Sequence, residues 1–168
     1  WSLAMMAGFV LAAQAGSAAA ATFVVDRTDD SAAAGAQVCS AAANDCSLRG
    51  AIIKANGAAG ADIITLPAGT YTLTIVNSAG NEDSAFQGDL DITDDLTING
   101  AGQGATIIQA GTTTLNGIDK VFAINPVCDH AVAVAIDGVT IRFGRNTQPF
   151  NTPDFSFTGG GLDFCGFG

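Results

Sequence analysis

The residues best equipped for chemistry lie in one short run. GDLDITDD sets four carboxylates at Asp89, Asp91, Asp94 and Asp95. On a strand, side chains alternate between faces, so Asp89 and Asp91 share one face while Leu90 and Ile92 take the inner one. Two outward carboxylates could hold Ca²⁺, which takes oxygen ligands, or serve as an acid/base pair in glycoside hydrolysis. The competing reading is a solvated face at Asp89 and Asp91 followed by turn acids at Asp94 and Asp95. We favour the second reading, because oxygen ligands alone are a weak signal and no EF-hand loop pattern is present. No Lys or Arg stands beside these acids in the sequence, as a lyase acting on anionic sugars would need. The expectation is therefore no catalytic residue and no cofactor, with Ca²⁺ at Asp89 and Asp91 as the weaker alternative.

Other reactive types are sparse. The single His130 sits in CDH, two residues after Cys128, which is neither a zinc spacing nor a triad arrangement. Arg142 and Arg145 flank Phe143 and could touch acidic sugars, although an outward pair at a strand end explains them equally simply. Two glycine-rich stretches, NGAGQG and GGG, suggest phosphate binding by spelling alone; no helix pattern follows, so turns account for them. Six of the ten Phe residues (143, 150, 155, 157, 164, 167) crowd the last 26 positions, where they either pack inside the core or form a platform for carbohydrate.

Charge and composition narrow the classes further. A net charge of −10 with only six basic residues excludes a phosphate-backbone reader, so nucleic acid is not an expected partner. Glutamate occurs once, at Glu82, against fifteen Asp, which favours turns over helices. Residues 1–21 read as a signal peptide: an apolar stretch from Leu3 to Ala13, then small residues, with Ala19 and Ala21 fitting an A-x-A site before Thr22. That stretch is too short to cross a bilayer comfortably, and no second apolar run of spanning length follows, so the mature chain is expected not to span a membrane. There is no initiating Met or basic lead, and the signal is expected to be truncated upstream.

Four cysteines in an exported chain favour disulfides and allow three connectivities. The short loop CSAAANDC points to Cys39–Cys46, which leaves Cys128 with Cys165 as the accompanying pair.

Positioning elements come next. In CSLRGAIIKANG, Leu48, Ala51, Ile52 and Ala55 recur at i, i+3, i+4 and i+7, one face of a helix. Ser47 or Asp45 is placed to cap its first amides, and Gly57 to stop it in a left-handed turn. Gly50 inside this helix costs about 1 kcal/mol relative to Ala, so the helix needs tertiary packing. From Ala61 onward the pattern changes to short strands: DIITLP, TYTLTIV, DLDIT, LTING, ATIIQA, VFAI, VAVAIDGVTIRF and GLDF. Ile98, Ile124, Ile141 and Leu162 fall one coil apart if a coil takes about 20–25 residues, within the range of solenoid repeats. A β-sandwich with strands every eight to twelve residues is the alternative.

CSLRGAIIKAN also resembles the CSLREA motif, which marks the N-terminus of many exported bacterial right-handed parallel β-helix proteins. TFVVDRTDD, GADIITLPAGTYTLTI, GDLDITDDLTINGAG, TIIQA, DKVFAI, VAIDGVTIRFG and GGGL are similar to that family in the same order, over residues 22–162. Gly50 departs from it, standing where the motif usually has Glu. The resemblance implies an all-β, right-handed parallel β-helix with a short N-terminal capping helix. Residues 22–60 would form the cap, and 61–168 the first coils, continuing into further coils. It implies secretion or a cell-surface location and a structural or adhesive role, with carbohydrate or cell-surface components as partners. The alternative is a non-catalytic N-terminal part of a polysaccharide lyase or glycoside hydrolase whose active site lies on later coils. Capping follows from physics as well: the end coil of a solenoid leaves strand edges and core uncovered.

Overall fold

Short β-branched runs interrupted by Gly, Asn and Asp become short strands. The computed structural model describes residues 19–78, 83–145 and 161–164. Within them β1 (Thr22–Val24) precedes a 3-10 turn (Ala34–Ala36) and one helix, α1 (Leu48–Gly57). Nine strands follow: β2 (Asp62–Leu66), β3 (Gly69–Thr72), β4 (Leu90–Ile92), β5 (Leu96–Gly100), β6 (Thr106–Gln109), β7 (Phe122–Ile124), β8 (Val134–Asp137), β9 (Thr140–Arg142) and β10 (Leu162–Phe164).

These strands form three sheets, ordered β1-β2-β5-β8, β3-β6-β9 and β4-β7-β10. Every strand pairing is parallel, which rules out the antiparallel sandwich. From β2 onward, three successive strands enter three different sheets, and the next returns beside the first. The register aligns apolar residues in columns: Ile64, Ile98 and Ile136 in the first sheet, Tyr71, Ile108 and Ile141 in the second. Leu90, Phe122 and Leu162 form the third. Their leading members are sealed, with Ile64, Ile98, Ile108, Leu90 and Phe122 all fully buried.

The columns correct the expected repeat. Ile64 pairs with Ile98 and Ile98 with Ile136, steps of 34 and 38 residues. Ile98, Ile124, Ile141 and Leu162 are not one column: they lie on β5, β7, β9 and β10, in all three sheets. Three strands per repeat make any strand-to-strand spacing shorter than the true period. VAVAIDGVTIRF is likewise two strands, divided at Gly138, whose φ of +65° turns the chain. A side chain there would meet the Gly100 carbonyl oxygen at 2.5 Å, so the turns of neighbouring repeats stack glycine on glycine.

Helix α1 forms where the spacing indicates. Ser47 is its N-cap and accepts from the Gly50 N–H at 2.9 Å. Leu48, Ala51, Ile52 and Ala55 are all buried, Ile52 completely, and α1 packs against β2 and β4. Burying a side chain such as Ile52 contributes about 1.5–3 kcal/mol. The helix ends at Gly57, but without the expected left-handed turn there; Ala58 leaves it in extended conformation, and the left-handed glycine is Gly60, at φ +108°. Gly50 has a packing cause. A Cβ there would lie 1.9 Å from the Ala36 carbonyl oxygen, so the 3-10 turn can press on the helix only because position 50 has no side chain.

Candidate functional site at the covered end of the sheets

Each sheet starts with an edge of unpaired backbone groups, and a different residue type answers each one. In the first sheet β1 lies along β2, pairing Phe23 with Ile64. Beyond β3 in the second sheet, Asp30 Oδ2 accepts from the N–H groups of Thr74 (2.7 Å) and Ile75 (2.9 Å). At β4 in the third, Asn56 Nδ2 donates to the Asp91 carbonyl at 2.7 Å, and its Oδ1 accepts from the Thr93 N–H at 3.0 Å. One carboxamide thus offers β4 the donor and acceptor that a neighbouring strand would supply.

Arg49 ties these pieces together. Its Nε and Nη2 donate to the two Asp30 carboxylate oxygens at 2.5 and 3.2 Å. Nη1 reaches the carbonyls of Ala85 (2.9 Å) and Asp89 (3.1 Å), and Nη2 that of Gly88 (2.8 Å). A guanidinium has five N–H donors, and these contacts occupy all of them. Both partners are enclosed, with side-chain exposures of 0% for Arg49 and 1% for Asp30. The arrangement binds the protein's own backbone and offers nothing to a ligand.

The expected Cys39–Cys46 disulfide is present and closes the loop just ahead of Ser47. Asp26 accepts from the Cys46 N–H at 2.9 Å, and Lys54 donates to the Val38 carbonyl, so the loop is also held from the segment just after β1 and from α1. Cys128 is disulfide-bonded as well; Cys165 lies outside the described residues.

The expected solvated face at Asp89 and Asp91 needs correcting. Asp89 is 4% and Asp91 1% exposed. The fold places Lys120, remote in sequence, 3.5 Å from Asp89. This follows from register: Leu90 pairs with Phe122, which brings the residues before β7 beside Asp89. Burial pushes the Asp89 carboxyl up to about 6; Lys120 opposes that shift and nearby Asp119 adds to it. A raised carboxyl suits a general acid, but this one is shut away from substrate. Among the described residues no group of three or more His, Cys, Asp or Glu is placed to hold a metal ion.

The remaining candidates lie apart. His130 is half-exposed in the β7–β8 loop beside Asp129. Asp94 and Asp95 are turn acids, bonding the Asp95 and Ala133 amides. Arg142 donates from Nε to Gln109 Oε1 at 2.8 Å and stacks on Phe143, while Gln109 in turn donates to Thr72. Arg145 instead donates to the Leu115 carbonyl. The Arg pair therefore divides between two structural tasks. The signal segment lies almost wholly outside the described residues, as do Phe150, Phe155, Phe157 and Phe167. No described helix is long and apolar enough to cross a membrane.

Sequence reasoning missed Asp30, Arg49, Asn56 and Lys120. Asn56 and Arg49 carried a usable signal, since both flank the apolar face of a helix expected to lie on strand edges. Asp30 and Lys120 carried none, because their partners are set by register. Compared with protein-family models, curated proteins and solved structures, the chain matches none of them.

Proposed function

We propose that this chain is the capped N-terminal part of an exported right-handed parallel β-helix that serves as a structural or adhesive module at the cell surface. One observation carries the reading. Three sheets take successive strands in rotation, and at their leading end β1, Asp30, Asn56 and Arg49 occupy edge groups that would otherwise template foreign strands. A solenoid needs such a terminal cap for solubility. The resemblance of CSLRGAIIKAN to the CSLREA motif supports export, as does the disulfide, which persists in oxidising compartments. Burial of Asp89 and Asp91 favours a structural role over catalysis by those acids.

The test combines address and activity. The full open reading frame that encodes the chain is fused to a reporter that works only outside the cytoplasm, and the purified protein is screened against a panel of polysaccharides. The reading expects an active reporter, no turnover, and retention of the protein on cells or on surface glycan. A silent reporter, or turnover abolished by Asp89→Asn or Arg142→Ala, would overturn it.

A further inference from the structure

The β7–β8 loop contains a junction that its structural role does not explain. Both ring nitrogens of His130 face acceptors: Nδ1 stands 2.5 Å from Asp129 Oδ1, and Nε2 stands 3.0 Å from the Thr93 carbonyl oxygen. A neutral imidazole has one N–H, so either tautomer turns a lone pair toward an oxygen. Only the imidazolium donates to both. Thr93 belongs to the turn between β4 and β5, whereas His130 lies between β7 and β8. The ring therefore bridges the turns of adjacent repeats.

We infer that His130 is a proton-operated clasp that holds the β7–β8 loop against the β4–β5 turn when charged and loosens it when neutral. The charged groups around it agree in sign. Asp129 neighbours it on its own loop, and from the β4–β5 turn Asp94 adds its field while Asp95 accepts from the Ala133 N–H at 2.7 Å. The Asp129 hydrogen bond foremost, with the Thr93 carbonyl and Asp94 behind it, raises the His130 pKa above its ordinary 6.5. For a group with a raised folded pKa, the stabilising contribution is complete below the unfolded value and disappears as pH rises through the folded one. The clasp is thus shut in acid and opens as pH rises through a midpoint above the ordinary 6.5.

Loosening stays local. Asn125 N–H remains bonded to the Ile92 carbonyl and Asn125 Nδ2 to the His130 carbonyl, and Cys128 stays in its disulfide. Two of the loop's residues, Asn125 and Cys128, hold left-handed backbones at φ 52° and 57°. Such conformations persist where surrounding contacts over-determine them. The clasp adds a histidine contact to a loop otherwise held by backbone and carboxamide hydrogen bonds, a disulfide and the Asp95 carboxylate.

The experiment follows the full chain by NMR from pH 5 to 9. His130 ring signals are recorded with the amide of Asp94, which shares its peptide group with the Thr93 carbonyl, and with the Ile64 amide as a distant control. We expect His130 to titrate above 6.5, the Asp94 amide to move with the same midpoint, and Ile64 to stay still. In Asp129→Asn the midpoint falls, and in His130→Gln the Asp94 transition in this range vanishes. A ring midpoint at or below 6.5, or an Asp94 amide indifferent to it, overturns the clasp.

Discussion

At one end of the three sheets β2, β3 and β4 lie under a cover; at the other, β8, β9 and β10 pair on one side only among the described residues. The strands themselves are alike. DIITL and VAID both belong to the first sheet, and Ile64, Ile98 and Ile136 form one column through it. Yet Ile64 and Ile98 are fully buried while Ile136 is only half-buried, and β4 is buried along its whole length where β8 alternates half-buried with exposed. Burial here is therefore a property of being stacked on both sides rather than of a strand's own composition. The covered end achieves that with very little regular structure: one short strand, one helix and three polar side chains.

The largest way to break this contrast is at Arg49. In Arg49→Met, Asp30 keeps a buried charge and three carbonyls lose donors; breaking a buried pair by removing one partner costs about 3–5 kcal/mol. Urea unfolding should show that loss, or a chain that no longer folds, whereas Arg142→Met at the opposite end changes stability by far less. Equal losses would erase the distinction between the ends.

Truncating the shared column measures the gradient itself. Ile98→Ala should cost about 2–5 kcal/mol, the range for a fully buried Ile whose site cannot collapse. Ile136→Ala should cost less than half as much, because part of its surface already meets solvent. The comparison is read from the same denaturation midpoints, and a reversal of the two would contradict the stacking account.

Asp89 sharpens the contrast through pH. Its folded value of about 6 exceeds the unfolded carboxylate value, so ionisation opposes folding. At 1.36 kcal/mol per unit, the wild-type chain should lose up to about 3 kcal/mol relative to Asp89→Asn as pH rises from about 4 to about 6, and no more beyond. A pH-independent difference would show that the acid is not buried in the folded protein.

Gly50→Ala gives the smallest effect and the most instructive sign. Helix propensity alone predicts a gain of about 1 kcal/mol. Contact with the Ala36 carbonyl predicts a loss of about 1–3 kcal/mol, typical of overpacking. A stabilised variant would mean that the 3-10 turn does not rest on α1.

Local chemistry was legible in the sequence where a residue's partner is near in the chain. The helix face at Leu48, Ala51, Ile52 and Ala55, the Ser47 cap and the Cys39–Cys46 pair all depend on spacings of a few residues. The inward Leu90 and Ile92 were readable for the same reason. What could not be read depends on register across repeats. Lys120 meets Asp89 only because β4 and β7 stack, and the true period is obscured because each repeat holds three unequal strands. Gly50 shows the limit from the other side: propensity marks it as a defect, and only the Ala36 carbonyl explains it.

The central claim is that the segment ahead of β2 supplies the backbone partners that a missing neighbour would otherwise provide. Asn56 tests it most directly, because one carboxamide answers both the Thr93 N–H and the Asp91 carbonyl. Amide hydrogen exchange is measured at Thr93 in the wild-type chain and in Asn56→Ala, with Asn125, bonded to the Ile92 carbonyl, as the internal reference. The account predicts that Thr93 loses its protection while Asn125 keeps it. Unchanged protection at Thr93 would contradict it.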